Sequence, residues 1–150
     1  MMTAKDIMTT NVVTISGSET VANAVKVFKE KGLRALIVEP RSDRDPYGII
    51  TETDIIYKVT AYGHNPQKMR VFEIMTKPCI TVQPDLGVEY VARLFANTKT
   101  RRAPVVQNCL KGIISISDIM HKSDLIENPK SDFELYCEEN PSAREARIYD

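Results

Sequence analysis

Two stretches of the chain carry apolar residues at the spacing i, i+3, i+4, i+7, which gathers them on one face of an amphipathic helix. The first stretch covers residues 21–28, and the second covers residues 88–95, 67 positions later. Ser18 and Asp85 precede these stretches at equivalent places, and we expect each side chain to cap the free N–H groups of its helix. The pattern predicts two equivalent helices in a duplicated chain.

Short apolar runs surround each predicted helix, one before it and two after it, and a polar loop separates the two that follow. The runs are residues 12–15, 35–38 and 48–51 in the first half, and 79–82, 103–106 and 112–115 in the second. Two such runs around a polar loop predict a β-hairpin. We expect a second helix at Asp54 and another at Asp118, so each half has the order strand, helix, strand, strand, helix.

The duplication predicts an α+β fold of two pseudo-symmetric repeats. A unit of about 60 residues is marginally stable alone, so we expect the repeats to pack face to face and bury their sheets together. The predicted division is a first repeat at residues 1–65, a second repeat at 66–125 and an acidic tail at 126–150. The tail is expected to form short helical segments that are broken at Pro141.

The charges of the chain balance, with 20 basic and 20 acidic side chains. The last twenty residues hold six acids and two bases, which leaves 18 bases and 14 acids in the remainder. Balanced charge argues against nucleic acid and membrane surfaces as partners, whereas a mildly basic body suits the binding of anions. No apolar run is long enough to span a bilayer.

The chain contains three cysteines, Cys79, Cys109 and Cys137, and shows no secretory signal. An odd number of cysteines in such a chain is typical of a reducing, cytoplasmic setting. His64 and His121 have no metal-ligand spacing with them, so no metal site is expected. The sequence also shows no nucleophile beside a base and no glycine-rich phosphate loop, which argues against an enzyme.

The most informative polar residues stand where a predicted strand ends and a predicted helix begins. Thr51 and Asp54 take these places in the first half, and Ser115 and Asp118 take them in the second. A helix start attracts phosphate, a hydroxyl can donate to a phosphate oxygen, and a carboxylate can accept from two vicinal ribose hydroxyls. Helix capping by Thr51 and Ser115 is the alternative. Because the pattern occurs twice, it favours a pair of nucleotide sites.

The same motif occurs in both halves: Gly, two apolar residues, then Thr or Ser, with Asp three positions after that hydroxyl residue. This doubled motif resembles that of paired CBS repeats, which are also called Bateman modules. The resemblance covers residues 3 to about 124. It implies that Asp holds a ribose, that hydroxyls and basic residues hold phosphate or ribose, and that adenine lies against the start of the opposite repeat. In one cleft it places Asn11, Val12, Val13, Arg101, Arg102, Ser115, Ser117 and Asp118. In the other cleft it places Arg34, Thr51, Thr53, Asp54, Pro78, Cys79 and Ile80.

The resemblance implies an adenine-nucleotide ligand and a dimer. A guanidinium fork matches phosphate geometry, so Arg101 and Arg102 predict tighter binding in the Asp118 cleft than Arg34 alone allows in the other. The arginine pair favours a phosphorylated ligand, AMP first, with ADP, ATP and S-adenosylmethionine left open. CBS pairs usually dimerise through their second helices. We therefore expect a homodimer or higher homo-oligomer through the faces near Ile55, Ile56, Ile119 and Met120.

The end of the tail carries a second motif. Cys-Glu-Glu-Asn-Pro at residues 137–141, followed by Glu-x-Arg-Ile-Tyr-Asp at residues 145–150, resembles the small Calvin-cycle linker proteins, which are fused to CBS pairs in cyanobacteria. The resemblance implies binding to glyceraldehyde-3-phosphate dehydrogenase and phosphoribulokinase. Ala146 stands where that family has its second cysteine, so the local disulfide cannot form here. The family's kinase-binding N-terminal helix is not found, which favours the dehydrogenase as partner.

Two functional hypotheses follow. The first is a nucleotide-sensing regulatory module that reports adenylate state to Calvin-cycle enzymes, which requires the nucleotide to prefer one arrangement of the chain. The second is an assembly protein whose tail builds oligomers that nucleotide stabilises. In that case the contacts between subunits would come from Phe133, Leu135, Tyr136, Ile148 and Tyr149.

Overall fold

The computed structural model describes residues 1–128, which form two compact units. The continuous unit is Val12–Cys79, and the split unit joins Met1–Asn11 to the residues from Ile80 onward. The compact units therefore do not follow the sequence repeats, because residues 1–11 belong to the split unit and residues 66–79 belong to the continuous unit. The division at residues 65 and 125 stays a prediction. The predicted tail helices, Cys137 and the two tail motifs lie outside the described residues.

Helices and strands follow one another in an order that repeats. In chain order they are α1 Ala4–Ile7, β1 Thr14–Ile15, α2 Val21–Lys31, β2 Ala35–Val38, β3 Gly48–Thr51, α3 Glu52–Lys58, the 3-10 helix Thr60–Tyr62, α4 Val71–Ile74, α5 Val88–Thr98, β4 Arg102–Gln107, β5 Cys109–Ser115 and α6 Ile116–Lys122. The predicted bounds of β2 and β3 are confirmed, whereas β4 and β5 are longer than predicted. Each half also begins with a short helix, α1 or α4, that the apolar periodicity did not predict.

The continuous unit is built on a three-stranded sheet in the order β1, β2, β3. Strand β1 is parallel to β2, and β2 is antiparallel to β3, with Ala35 opposite Thr51. The core of this unit consists of Ile15, Val21, Ala24, Phe28, Leu36, Val38, Ile50, Ile55, Val59, Val71 and Ile74. Burying a side chain of this kind contributes about 1.5–3 kcal/mol. The packing of β3 and α3 into one core fixes the junction between them at Thr51.

The split unit contains the hairpin of β4 and β5. The strand expected at residues 79–82 is reduced to one parallel bridge, between Val82 and Val105. Pro78 and Pro84 flank that run. Because proline cannot donate a backbone hydrogen bond to a sheet, few residues of the run are able to pair with a neighbouring strand. The core of this unit consists of Ala4, Ile7, Val82, Val88, Val91, Phe95, Ala103, Val105 and Ile114. Two of these residues come from α1, so the first residues of the chain complete this core.

The helix caps predicted at Ser18 and Asp85 were wrong, because each lies two residues before the true cap. Helix α2 begins after Thr20, whose hydroxyl accepts a backbone N–H of the first turn at 3.1 Å. Helix α5 begins after Gly87, which has no side chain to offer. Asp85 instead pairs with Lys5, with 2.9 Å between Nζ and Oδ1. Each helix starts at the first residue that packs into its core, so the cap is the residue just before it.

The second helices, α3 and α6, expose apolar side chains, but not all of those expected. Ile55 is only 7% exposed and packs in the core of the continuous unit, so its predicted place on a dimer face was wrong. Ile55 and Val59 are one helical turn apart and share the buried face, which turns Ile56 outward. Ile56 and Met120 are 51% and 55% exposed, and Ile119 packs partly against the core of the split unit.

Candidate functional site

Two strand-to-helix junctions carry the same hydrogen-bonded box. At the end of β3, Oδ2 of Asp54 accepts from the backbone N–H of Thr51 at 3.0 Å and from its hydroxyl at 3.0 Å. At the end of β5, Oδ2 of Asp118 accepts from the N–H and hydroxyl of Ser115 at 2.9 and 3.1 Å. Each hydroxyl accepts in turn from the backbone N–H of the Asp at 3.2 Å. The capping interpretation is therefore confirmed for both helices, and it uses only Oδ2 of each carboxylate.

A lysine occupies the other carboxylate oxygen in both boxes. Nζ of Lys122 lies 2.9 Å from Oδ1 of Asp118, and Nζ of Lys58 lies 3.3 Å from Oδ1 of Asp54. Both aspartate side chains are largely buried, whereas both lysines are half exposed. The sequence reasoning missed these lysines. Their signal is an Asp followed by a Lys four positions later in both halves, a spacing that brings two side chains together on a helix.

An arginine lies beside each junction, at the residue just before the neighbouring strand. The carbonyl oxygen of Arg101 accepts the first N–H of α6 at 2.9 Å, and that of Arg34 accepts the first N–H of α3 at 3.3 Å. These two arginines are therefore equivalent in the two units. Arg102 stands opposite Ser115 in the β4–β5 ladder, where the continuous unit has Ala35. The second arginine of the predicted Asp118 cleft thus has no counterpart in the equivalent position.

In the split unit, the segment after α1 runs beside β5. Thr9 and Ile113 exchange two backbone hydrogen bonds of 2.8 and 2.9 Å, which fixes this segment two residues before the box at Ser115. Gly112 allows the close approach, because a Cβ there would lie 2.7 Å from the carbonyl oxygen of Thr9. Asn11, which the resemblance assigns to the adenine, follows two residues later and is exposed.

In the continuous unit, the segment after α4 runs beside β3 in the same way. Thr76 and Ile49 exchange two backbone hydrogen bonds of 2.9 Å each. Pro78 and Cys79 follow, and the N–H of Cys79 donates to the carbonyl oxygen of Tyr47 at 3.1 Å. The segment assigned to adenine therefore lies along the strand that ends at Thr51.

The two units divide the predicted site residues as follows. The split unit contains Ile80, predicted for the Asp54 cleft, and six residues predicted for the Asp118 cleft: Asn11, Arg101, Arg102, Ser115, Ser117 and Asp118. The continuous unit contains Val12 and Val13, predicted for the Asp118 cleft, and six residues predicted for the Asp54 cleft: Arg34, Thr51, Thr53, Asp54, Pro78 and Cys79. The ligand contacts of all these residues stay predictions.

The half-buried thiol of Cys79 is expected to react slowly. Burial raises its pKa from 9.0 to about 11, because the thiolate loses solvation. At about pH 8 this lowers the thiolate fraction about 100-fold, so alkylation by iodoacetamide should slow by about that factor relative to the urea-unfolded chain. The difference should shrink as the pH rises towards 11. Peptide mapping by mass spectrometry at both pH values measures the rates, and equal rates in native and unfolded chain would contradict the assigned burial.

A cavity of about 460 Å³ lies in the split unit, between α5 and α6. Its walls include Phe95, Ile116 and Met120, together with the charged residues Lys99 and Arg101. The residues of the box at Ser115 and Asp118 are not part of its lining. The cavity and the box are therefore adjacent features, since Ile116 and Ile119 of the lining directly follow Ser115 and Asp118 in the chain.

Neither a cluster of metal-ligand side chains nor a membrane-spanning helix is found in the described part of the chain. Within residues 1–128, no group of three or more His, Cys, Asp or Glu side chains could hold a metal ion. Over the same residues, the helices are all too short or too polar to cross a membrane. The two boxes with their arginines thus remain the candidate functional site.

Comparison with known proteins defines the class. The CBS domain model matches residues 4–61 and 71–124, so the chain belongs to the CBS domain family, whose members generally bind adenine nucleotides or similar ligands. The CP12 domain model matches residues 116–150. The chain therefore carries two CBS domains and a C-terminal CP12 domain, which confirms both resemblances. These domains are regulatory and non-catalytic, so the chain is not an enzyme.

Among solved structures, the chain is similar to the hexameric CBS-CP12 protein from bloom-forming cyanobacteria, with 62% identity and a TM-score of 0.85 over 97% of this chain and 86% of that one. It is 34% identical over 112 residues to an uncharacterized protein of Methanopyrus kandleri, covering 73% of this chain but only 57% of that protein's length. It is 32% identical over 120 residues to a CBS domain-containing protein of Bacillus subtilis, covering 79% of this chain and 84% of that one.

Proposed function

We propose that this chain is a regulatory module that binds an adenine nucleotide, AMP first, beside the two boxes, and tunes Calvin-cycle enzymes through its C-terminal region. The observation that carries the proposal is the box of hydroxyl and carboxylate, which has the same hydrogen bonds in both units. The ligand class common among CBS domains supports it. ADP, ATP and S-adenosylmethionine are the alternative ligands.

The split unit offers groups for both the ribose and the phosphate. Asp118 can accept from ribose hydroxyls, and the hydroxyls of Ser115 and Ser117 can donate to phosphate or ribose. The guanidinium of Arg101 can bind phosphate through paired hydrogen bonds, and a second arginine follows it. The continuous unit offers Arg34 with no second arginine at the equivalent position. AMP is therefore proposed to bind more tightly to the split unit.

The CP12 match supports Calvin-cycle enzymes as partners. Glyceraldehyde-3-phosphate dehydrogenase is the first proposed partner, because the terminal motif at residues 147–150 is present, and phosphoribulokinase is the second. Ala146 stands where the linker family has a cysteine, so a nucleotide signal would act without that family's local disulfide. We also propose that the protein is located in the cytoplasm. Regulation requires AMP to bind one arrangement of the chain more tightly than another.

Calorimetric titration of the whole chain with AMP, ADP, ATP and S-adenosylmethionine tests the binding. Assays of glyceraldehyde-3-phosphate dehydrogenase and of phosphoribulokinase with the whole chain, at several AMP concentrations, test the regulation. We expect AMP to bind most tightly and to change the activity of the dehydrogenase. Binding of none of the four ligands would contradict the proposal, and binding without an effect on either enzyme would remove the proposed partners.

A second candidate function is that of an assembly protein whose oligomers are stabilised by nucleotide. The hexameric state of the 62% identical cyanobacterial protein favours it, as do the exposed side chains of Ile56, Ile116 and Met120. Light scattering with and without AMP separates the two candidates. A mass that changes with AMP while neither enzyme responds would favour assembly over regulation.

A further inference from the structure

The lysine beside each carboxylate has a second partner on another helix. Nζ of Lys122 donates to the carbonyl oxygen of Ile7, the last residue of α1, at 3.3 Å, while it also contacts Asp118. Nζ of Lys58 donates to the carbonyl oxygen of Ile74, the last residue of α4, at 2.8 Å. The last carbonyls of a helix have no partner within it, and a lysine can satisfy them. The same three-way contact in both units indicates a shared role.

The carboxylate of Asp118 has little acceptor capacity left. Its Oδ2 accepts two hydrogen bonds from Ser115, and its Oδ1 lies 2.9 Å from the ammonium of Lys122. A carboxylate has about four acceptor positions, so about one is open. Two vicinal ribose hydroxyls need two acceptor positions. One of the present donors must therefore leave before the carboxylate can hold a ribose through both hydroxyls.

Lys122 is the donor whose departure costs least. The backbone N–H of Ser115 is fixed by the helix cap, and its hydroxyl is held in the same box. The side chain of Lys122 is 48% exposed, so water can replace the carboxylate around its ammonium. The carbonyl oxygen of Ile7 remains as its second partner. The ribose and this lysine thus compete for Oδ1.

We propose that Lys122 is a displaceable counter-ion that competes with ribose for Asp118, and that Lys58 does the same for Asp54. The inference rests on the proposed nucleotide binding. Lys122 also joins α6 to the end of α1, and the segment to Asn11 follows directly. Displacement of the ammonium by ribose leaves the carbonyl oxygen of Ile7 as its remaining partner, and the lysine sets how much the second ribose hydroxyl contributes to binding.

The test compares the dissociation constants of AMP and 2′-deoxy-AMP for chains with and without Lys122. Asp54→Asn is used as the background, so that the titration reports the split unit. Lys122→Met keeps the apolar stem of the side chain and removes its charge. Loss of the charge affects the phosphate of AMP and the phosphate of 2′-deoxy-AMP alike, so this effect cancels in the ratio of the two dissociation constants. We expect the preference for AMP over 2′-deoxy-AMP to rise about five- to tenfold, because the second hydroxyl no longer displaces a charged donor.

Two further variants make the result specific. Lys111→Met removes one charge from an exposed lysine of β5, and the ratio should stay unchanged. Lys122→Gln replaces Lys122→Met if the latter does not fold, and it should raise the ratio in the same direction. A ratio that is unchanged or lower while the parent binds AMP overturns the inference and leaves the proposed function standing. Absence of AMP binding to the native chain overturns both.

Discussion

Gly112→Ala is expected to lower the free energy of unfolding by about 3 kcal/mol, the upper range for overpacking. A Cβ at this position would lie 2.7 Å from the carbonyl oxygen of Thr9 and 2.7 Å from Sδ of Met8. The backbone at Thr9 cannot withdraw without lengthening both hydrogen bonds to Ile113, each of which contributes about 1 kcal/mol. Urea denaturation followed by circular dichroism measures the change.

The matched control is Gly48→Ala in the continuous unit. There the nearest atoms to a new Cβ are Sδ of Met75 at 3.1 Å, and the carbonyl oxygen of Thr76 and Cβ of Val38 at 3.3 Å each. The end of a flexible methionine can move aside, so we expect a loss of about 1 kcal/mol. Equal losses for the two variants would contradict the closer approach that the structure gives at Gly112.

Asp118→Asn is expected to weaken AMP binding about 10- to 100-fold. The amide oxygen can still accept from the N–H of Ser115, so the helix cap is kept, whereas the charge that strengthens hydrogen bonds to the ribose is lost. Hydrogen bonds to a charged group are worth about 1.5–3 kcal/mol, which corresponds to this range of affinity. Calorimetric titration of the variant and the native chain measures it.

Asp54→Asn is the partner variant, because the two boxes have the same hydrogen bonds. If the arginines make the split unit the tighter site, Asp118→Asn removes the tight phase of the titration and Asp54→Asn removes only the weak one. The opposite assignment would show that Arg101 and Arg102 do not set the affinity. Two variants that both bind AMP as the native chain does would show that neither carboxylate holds the ribose.

The secondary structure could be predicted where the apolar pattern is local. The spacing of apolar residues located α2 and α5, and the runs at 35–38 and 48–51 matched β2 and β3. The strand expected at residues 79–82 pairs only at Val82, because prolines flank it on both sides, and the apolar pattern did not take these prolines into account. The caps were placed two residues too early, because the first packed residue sets the helix start and the cap is the residue just before it.

The composition of the compact units could not be predicted from the repeats. Each repeat begins with a short helix that belongs to the other unit, α1 to the split unit and α4 to the continuous unit, and no local signal makes this assignment. That assignment depends on the non-local pairing of Thr9 with Ile113 and on α1 completing a distant core. The boxes were predictable because they lie within four consecutive residues. The contact of Lys122 with Ile7 was not, because 115 positions separate them.

A crystal structure of the whole chain grown with AMP tests the central claim most directly. The account predicts AMP with its ribose on Asp118, its phosphate towards Arg101 and its adenine towards the segment that ends at Asn11. The ammonium of Lys122 should then have moved from Oδ1 of Asp118. AMP bound elsewhere, for example in the apolar cavity between α5 and α6, with both boxes unchanged from the hydrogen bonds described above, would contradict the account.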